Sequence, residues 1–116
     1  MKKPTLKVDE YGNKIWYLNG KYHREDGPAV EWKEGHKWWY LNGKLHREDG
    51  PAIENSNGSK MWFLNGKLHR EDGPAIEYRN GDKYWFLNGK KVKEEDVIEF
   101  NPNITEREYL EFVIGK

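Results

Sequence analysis

The chain has 116 residues, with 20 basic side chains balanced by 20 acidic ones and no cysteine. This length suits a single domain with a modest core. The lack of cysteine excludes disulfides, thiolate zinc sites and cysteine nucleophiles. The charges are interspersed and form no basic stripe of the kind that neutralises phosphates, so no nucleic-acid partner is expected.

The chain also lacks the segments that would target it to a membrane. No apolar run approaches the roughly 18 residues of a membrane helix. The first residues, "MKKPTLKVDEYGNK", have no apolar signal-peptide region. We therefore expect a cytoplasmic protein with no membrane partner.

Aromatic residues are unusually frequent, with six Trp, seven Tyr and four Phe. Aliphatic side chains are few, so rings must supply most of the buried area. A chain this polar and this aromatic suggests a thin sheet with ring stacks. The predicted fold class is mainly β, an elongated antiparallel meander of hairpin repeats with a short helical cap.

The first predicted segment, residues 1–7, precedes a degenerate half-unit and is expected to be a flexible arm. The repeat array then covers residues 8–92. The string "LNGK" begins at four leucines spaced by 23 residues, namely Leu18, Leu41, Leu64 and Leu87. Such a fixed period is the signature of a repeat architecture.

Each unit contains two tight-turn signals. One is the Asn-Gly dipeptide, as at Asn42-Gly43, which tolerates the positive φ angles of a type I′ hairpin turn. It places Leu41 opposite Lys44 and Tyr40 opposite Leu45. The second signal is a pair ending in Gly, found as Glu34-Gly35, Asn57-Gly58 and Asn80-Gly81.

We read the second turn also as a two-residue loop, and this fixes a register. In the last unit Ile76 then lies opposite Trp85, and Ala75 lies opposite Phe86. In the unit before it, Ile53 faces Trp62 in the same way. Each pair matches a smaller side chain with a large ring.

The string "HREDGP" connects successive units and breaks strand pairing through Asp-Gly-Pro. Its His, Arg, Glu and Asp allow two interpretations: a metal or acid–base site in every unit, or a structural joint between units. Neighbouring residues on an extended chain point to opposite faces, and a catalytic centre rarely recurs in every unit. The joint is therefore favoured, and no metal or cofactor is expected.

Residues 93–116 close the chain and show apolar residues at helical spacing. Pro102 separates two segments, and Asn103 or Thr105 is a suitable N-cap. Repeat arrays need an atypical end to cover the last open edge. We predict a helical cap docked on the final hairpin.

The alternation along each unit separates its residues into two rows. The uniform row carries the structural repeat residues, which are Trp16, Trp39, Trp62 and Trp85, with His23, His46 and His69 opposite them. The row on the other face changes identity between units, as a tunable binding surface would. Its predicted binding residues are Tyr17, Trp38, Tyr40, Phe63, Tyr84 and Phe86.

The "W-x-x-NGK-x-H" core with this period resembles MORN-type repeats. It is most similar to the "NGK-x-HR-x-DGPA" branch found in bacterial YwqK-like antitoxins and in many phage and giant-virus proteins. The resemblance covers about 85 residues, close to the extent of the predicted array. It implies a stack of β-hairpins that serves as an interaction platform, without a common chemistry.

These observations lead to three hypotheses of function. The first is a non-enzymatic protein-binding module, a phage or bacterial accessory or antitoxin-like inhibitor that acts on a host or toxin-like partner. The second is a protein that sequesters a nucleotide or an amine in aromatic cages between units. An enzyme is disfavoured because no unique polar cluster exists. An open sheet edge at the N-terminal end also permits a homodimer.

Overall fold

The computed structural model of the chain describes residues 2–95, which contain fourteen β-strands. The strands are β1 (Thr5–Val8), β2 (Lys14–Leu18), β3 (Lys21–Tyr22), β4 (Val30–Glu31), β5 (Lys37–Trp38), β6 (Tyr40–Leu41), β7 (Lys44–Leu45), β8 (Ile53–Glu54), β9 (Lys60–Met61), β10 (Phe63–Leu64), β11 (Lys67–Leu68), β12 (Ile76–Glu77), β13 (Lys83–Leu87) and β14 (Lys90–Val92). Every pairing among them is antiparallel within the described residues. The mainly β, meander-like architecture predicted from the repeat is thereby confirmed.

Ten of these strands form one sheet, in the order β1-β2-β4-β5-β8-β9-β12-β13-β14 with β3 beside β2. The remaining four form two small hairpins, β6-β7 and β10-β11. In the two middle units, the chain leaves the large sheet at Trp39 and at Trp62 and continues directly into a small hairpin. Each middle unit therefore contributes an outer hairpin to the large sheet and an inner hairpin beside it, whereas the inner hairpins β2-β3 and β13-β14 belong to the large sheet itself.

The inner hairpins have the predicted geometry. Asn42 and Gly43 have φ angles of 50° and 78°, as a type I′ turn requires, and the other three Asn-Gly turns are similar. Tyr40 lies opposite Leu45, and Leu41 lies opposite Lys44. The two-residue loop and its register are confirmed.

The outer hairpins differ from the prediction by one residue. Ile76 lies opposite Tyr84, not Trp85, and in the preceding unit Ile53 lies opposite Met61. The loops contain three residues, because the backbone N–H of Tyr78 donates to Asp82 across the turn. In each outer loop only the final Gly has a positive φ angle, which is typical of a three-residue hairpin loop.

Ala75, which was predicted to face Phe86, has another role, and Ala29 and Ala52 share it. The Ala29, Ala52 and Ala75 carbonyls accept hydrogen bonds of 2.7 Å from the backbone N–H groups of Trp16, Trp39 and Trp62. Each alanine thus links its unit to the preceding one. All three alanines are fully buried.

The corrected register produces two continuous rows of side chains across the large sheet. One row alternates in charge, in the order Lys14, Glu31, Lys37, Glu54, Lys60, Glu77 and Lys83. The adjacent row is apolar, in the order Ile15, Val30, Trp38, Ile53, Met61, Ile76 and Tyr84. Opposite charges across strands favour pairing, so the charged row supports the register that places the apolar row on the other face.

The most buried residues lie beneath the "HREDGP" loops and along the centre of the apolar row. They include the three alanines, Val30 at 1% exposure, Ile76 at 8% and Trp85 at 7%. Pro74 in the last loop is also fully buried. The core is therefore thin and extends along the stack, consistent with the few aliphatic residues in the sequence.

The remaining predictions concern the two ends of the array, where an arm and a helical cap were expected. The arm predicted for residues 1–7 overlaps β1, whose Thr5 and Lys7 lie opposite Tyr17 and Ile15 in β2. The helical cap predicted for 93–116 falls almost wholly on residues 96–116, which lie outside the described residues. Among residues 2–95 no helix is long and apolar enough to cross a membrane.

Candidate functional site

The three repeated histidines hold the turn of the next unit. His46 Nδ1 accepts a hydrogen bond of 2.9 Å from the backbone N–H of Asn65, and His23 and His69 do the same for Asn42 and Asn88. An N–H donor requires an unprotonated Nδ1, so each ring carries its proton on Nε2. The geometry thus assigns the same tautomer to all three rings.

The other ring nitrogen of each histidine faces a glutamate two residues along the chain. The Nε2–carboxylate distance is 3.7 Å for His23 and His46 and 3.2 Å for His69. The 3.2 Å contact is a hydrogen bond from His69 Nε2 to Glu71, whereas the 3.7 Å contacts of His23 and His46 are too long for hydrogen bonds, and Glu25 and Glu48 are largely exposed.

The arginine of the motif folds the loop back onto the tryptophan row. Arg47 Nε donates to Asp49 at 3.0 Å, and its Nη1 donates to the Pro51 carbonyl at 3.2 Å. The guanidinium lies 3.9 Å from the ring centre of Trp39. Arg24 and Arg70 repeat these contacts on Trp16 and Trp62.

The last unit replaces this joint. Val92 occupies the histidine position and lies opposite Trp85, while Lys93 occupies the arginine position. The joint is thus altered in the unit that is followed by no further repeat. This distribution matches a role between units.

A second joint was not predicted. Asn13, His36 and Ser59 occupy one repeat position, and each accepts a hydrogen bond from the backbone N–H of a residue in the next outer loop. The distances are 2.8, 2.9 and 3.0 Å. Because three different side chains perform this task, sequence identity does not reveal it; the shared trait is a hydrogen-bond acceptor at a 23-residue spacing.

The six predicted binding residues lie on the side of the strands opposite the tryptophan row. We call these residues (Tyr17, Trp38, Tyr40, Phe63, Tyr84 and Phe86) the aromatic face. All six rings are partly exposed. Alternation along a strand places residues two apart on one side, as with Tyr84 and Phe86 in β13. By this alternation and the 23-residue repeat, the six residues share one side of the strands in successive units.

Rings in the aromatic face contact their neighbours edge-to-face. Tyr22 lies between Tyr17 and Tyr40, with ring centres 5.4 and 5.2 Å apart. Trp38 contacts Trp32 in the same manner at 5.2 Å. Burial, together with the neighbouring Tyr22, raises the pKa of the Tyr40 phenol above its usual value. These contacts restrict the side chains of Tyr17, Tyr40 and Trp38.

Two grooves lie on the opposite side, between successive "HREDGP" loops. One, of about 410 Å³, is lined by both loops and by Trp39 and Leu41. The next, of about 540 Å³, lies one unit further along, by Trp62 and Leu64. Their polar lining consists mostly of the motif groups that already form the joint.

Among residues 2–95 no three histidine, aspartate or glutamate side chains are grouped so as to hold a metal ion. No protein-family model, curated protein or solved structure matches the chain.

Proposed function

We propose that the protein is a non-enzymatic repeat module that recognises another protein through its aromatic face. The observation that carries this proposal is the set of six partly exposed rings on one side of successive units. Large exposed apolar surfaces on soluble proteins usually mark interaction sites. Tyr and Trp are also enriched among the residues that dominate binding energy.

The rigidity of this face supports the proposal. Edge-to-face contacts link Tyr17, Tyr22 and Tyr40, and the strands that carry them belong to the large sheet and its adjoining hairpins. A partner would therefore meet Tyr17 and Tyr40 rings that already pack against a neighbouring ring. Such preorganisation increases affinity without additional contacts.

The use of the polar motif supports the non-enzymatic part of the proposal. Catalysis needs polar groups that are available to a substrate. The histidine Nδ1 atoms accept from the next turn, and the arginines are bound to aspartates, proline carbonyls and indole rings. The same geometry repeats in three units, as a joint would.

Affinity purification with matched variants tests the proposal. Tyr40→Ala and Phe63→Ala remove rings from the aromatic face, whereas Glu48→Ala changes an exposed side chain in a loop on the other side. A melting curve for each variant checks that it is folded. Any recovered protein is then purified separately, and its binding is measured by titration calorimetry.

We expect one protein to bind the wild type and Glu48→Ala equally, and to bind Phe63→Ala at least about tenfold more weakly. If binding also blocks the partner's activity, the module acts as an inhibitor, as an antitoxin does. A partner that binds all folded variants equally would refute the aromatic face as its site. Mass spectrometry that finds a stoichiometric nucleotide or amine in the purified protein would instead favour ligand sequestration.

A further inference from the structure

The first strand, β1, is open on one side, unlike its counterparts in later units. β4 pairs with β2 and β5, β8 with β5 and β9, and β12 with β9 and β13. β1 occupies the same repeat position but pairs only with β2 among the described residues. The backbone N–H and C=O groups along its other edge are therefore exposed to solvent.

The backbone groups on this edge can be identified. Ala29, which corresponds to Leu6 after one 23-residue step, uses its carbonyl to accept from Trp16 in the preceding unit. The carbonyl of Leu6 therefore points outward. Alternation along an antiparallel strand directs the N–H groups of Leu6 and Val8 outward as well, while Lys7 faces β2.

The side chains of β1 also lack the cover that later units provide. Leu6 is 41% exposed and Val8 is 58% exposed. In the next unit, Ala29 at the Leu6 position is fully buried, and Val30 at the Lys7 position is 1% exposed. An added strand would bury this apolar surface as a preceding unit buries it elsewhere.

The Asn-Gly turn at the same end of the stack also has backbone N–H groups that are open to a partner. In the second unit, the N–H groups of Asn42 and Gly43 donate to His23 Nδ1 and to the Tyr22 carbonyl. The corresponding N–H groups in the first unit belong to Asn19 and Gly20, and no acceptor for them occurs among residues 2–95. A partner that docks here needs acceptors.

The charges at this edge also favour an anionic partner. Lys2, Lys3 and Lys7 are all exposed. Two carboxylates follow β1. Asp9 accepts from its own turn at the backbone N–H of Tyr11 and at the backbone and side chain of Asn13, and Glu10 is exposed, so three lysines face one uncommitted carboxylate. Lysines on an edge strand oppose pairing between two copies, because like charges would meet.

We propose that the open edge of β1 binds an extended acidic segment of another protein by strand addition. Outward N–H and C=O groups of Leu6 and Val8 form the ladder, and Lys7 with its neighbours attracts the carboxylates. This site adjoins the aromatic face at Lys7, whose ammonium lies 5.3 Å from the centre of the Tyr17 ring. Its ladder groups lie on the outer edge of β1, and the proposal does not depend on the proposed function.

The test measures peptide binding to the full chain by fluorescence anisotropy. The probe is a labelled decapeptide of alternating glutamate and valine, and its control contains lysine in place of glutamate. Leu6→Pro removes a backbone N–H that points away from β2. It leaves intact the backbone N–H and C=O groups of Thr5 and Lys7, which face β2. Lys7→Glu reverses an edge charge, and Lys33→Glu makes the same change at an exposed residue of the β4–β5 loop, on the far side of β2 from the open edge.

We expect the glutamate peptide to bind, more weakly as salt increases, and the lysine peptide not to bind. Leu6→Pro and Lys7→Glu should each weaken binding about tenfold, whereas Lys33→Glu should not. Equal binding of both peptides, no binding at about 1 mM peptide, or an unchanged affinity of Leu6→Pro would overturn the proposal. A dimer in sedimentation analysis that Leu6→Pro dissociates would also overturn it, by showing that a second copy occupies the edge.

Discussion

His46 Nδ1 accepts a 2.9 Å hydrogen bond from the backbone N–H of Asn65, nineteen residues further along the chain. The bond joins the histidine of one unit to the first turn residue of the next. Beside it, the N–H of Gly66 donates to the Leu45 carbonyl at 2.8 Å. The most conspicuous polar motif in the sequence therefore serves to stack one hairpin on another.

Replacing this acceptor should destabilise the stack. We expect His46→Ala to lower the free energy of unfolding by about 1–2 kcal/mol, because the backbone N–H of Asn65 loses its partner. His46→Asn places an amide oxygen near the position of Nδ1 and should retain most of the stability. Urea denaturation of both variants measures the difference; equal losses would show that the acceptor has no special role.

The glycine of the "HREDGP" loop leaves room for the arginine side chain beside it. Its φ angle is not positive, so the backbone conformation does not call for glycine. A Cβ atom at Gly50 would lie 2.8 Å from the Arg47 Cζ. The guanidinium is the end of a flexible side chain and can move aside, so we expect Gly50→Ala to cost only about 1 kcal/mol, through the loss of the Arg47 contact with Trp39. In an Arg47→Ala background this cost should disappear, and a double-mutant cycle by urea denaturation measures the coupling.

Gly58 provides the matched control for that cycle. It has a φ angle of +96°, and a Cβ atom at this position would meet nothing within 4 Å. Gly58→Ala should therefore be destabilising through backbone strain, whether or not Arg47 is present. If Gly50→Ala remains as costly without the guanidinium, the proposed contact is not the reason for the glycine.

The alternating charge row should support strand register. Lys60 lies opposite both Glu54 and Glu77, so Lys60→Glu places three carboxylates side by side. We expect a loss of about 1 kcal/mol that shrinks as salt increases. Lys33→Glu makes the same charge change in an outer loop and should have a smaller effect. Thermal melts at low and high salt check both, and equal effects would contradict the importance of the row.

Tyr40 should make the fold sensitive to alkali. Burial and the neighbouring Tyr22 raise the pKa of its phenol above the ordinary value of 10.0, so folding favours the neutral form. The resulting stabilisation is fully present below pH 10.0 and is lost as the pH rises through the raised pKa. Tyr40→Phe should lose less stability between pH 9 and 11 than the wild type does, as urea denaturation across about this pH range can show. An identical pH dependence would refute this.

Much of the fold follows from the sequence because period and turn chemistry act locally. Asn42-Gly43 specifies a two-residue loop, and the predicted inner register is correct. The predicted outer register is wrong because Asn80-Gly81 does not form the same turn: Gly81 has a positive φ angle and Asn80 does not. Glu34 holds the equivalent position in an earlier unit, and Glu rarely adopts the positive φ angle that a type I′ turn requires.

Only part of the candidate site could be predicted from the sequence, for a different reason. Strand alternation was sufficient to group Tyr84 with Phe86 and to separate both from Trp85. The acceptor at Asn13, His36 and Ser59 was missed because its partners are backbone N–H groups in another unit, which leave no trace in the sequence. Contacts that depend on how units stack become visible only once the stack is built.

The central claim is that the repeated histidines join neighbouring units, and nitrogen NMR of the imidazoles tests it most directly. In ¹⁵N-labelled protein at neutral pH, His23, His46 and His69 should each show a proton on Nε2 and an unprotonated Nδ1 that accepts a hydrogen bond. A proton on Nδ1 in these rings, or nitrogen shifts that move when a divalent metal is added, would contradict the claim.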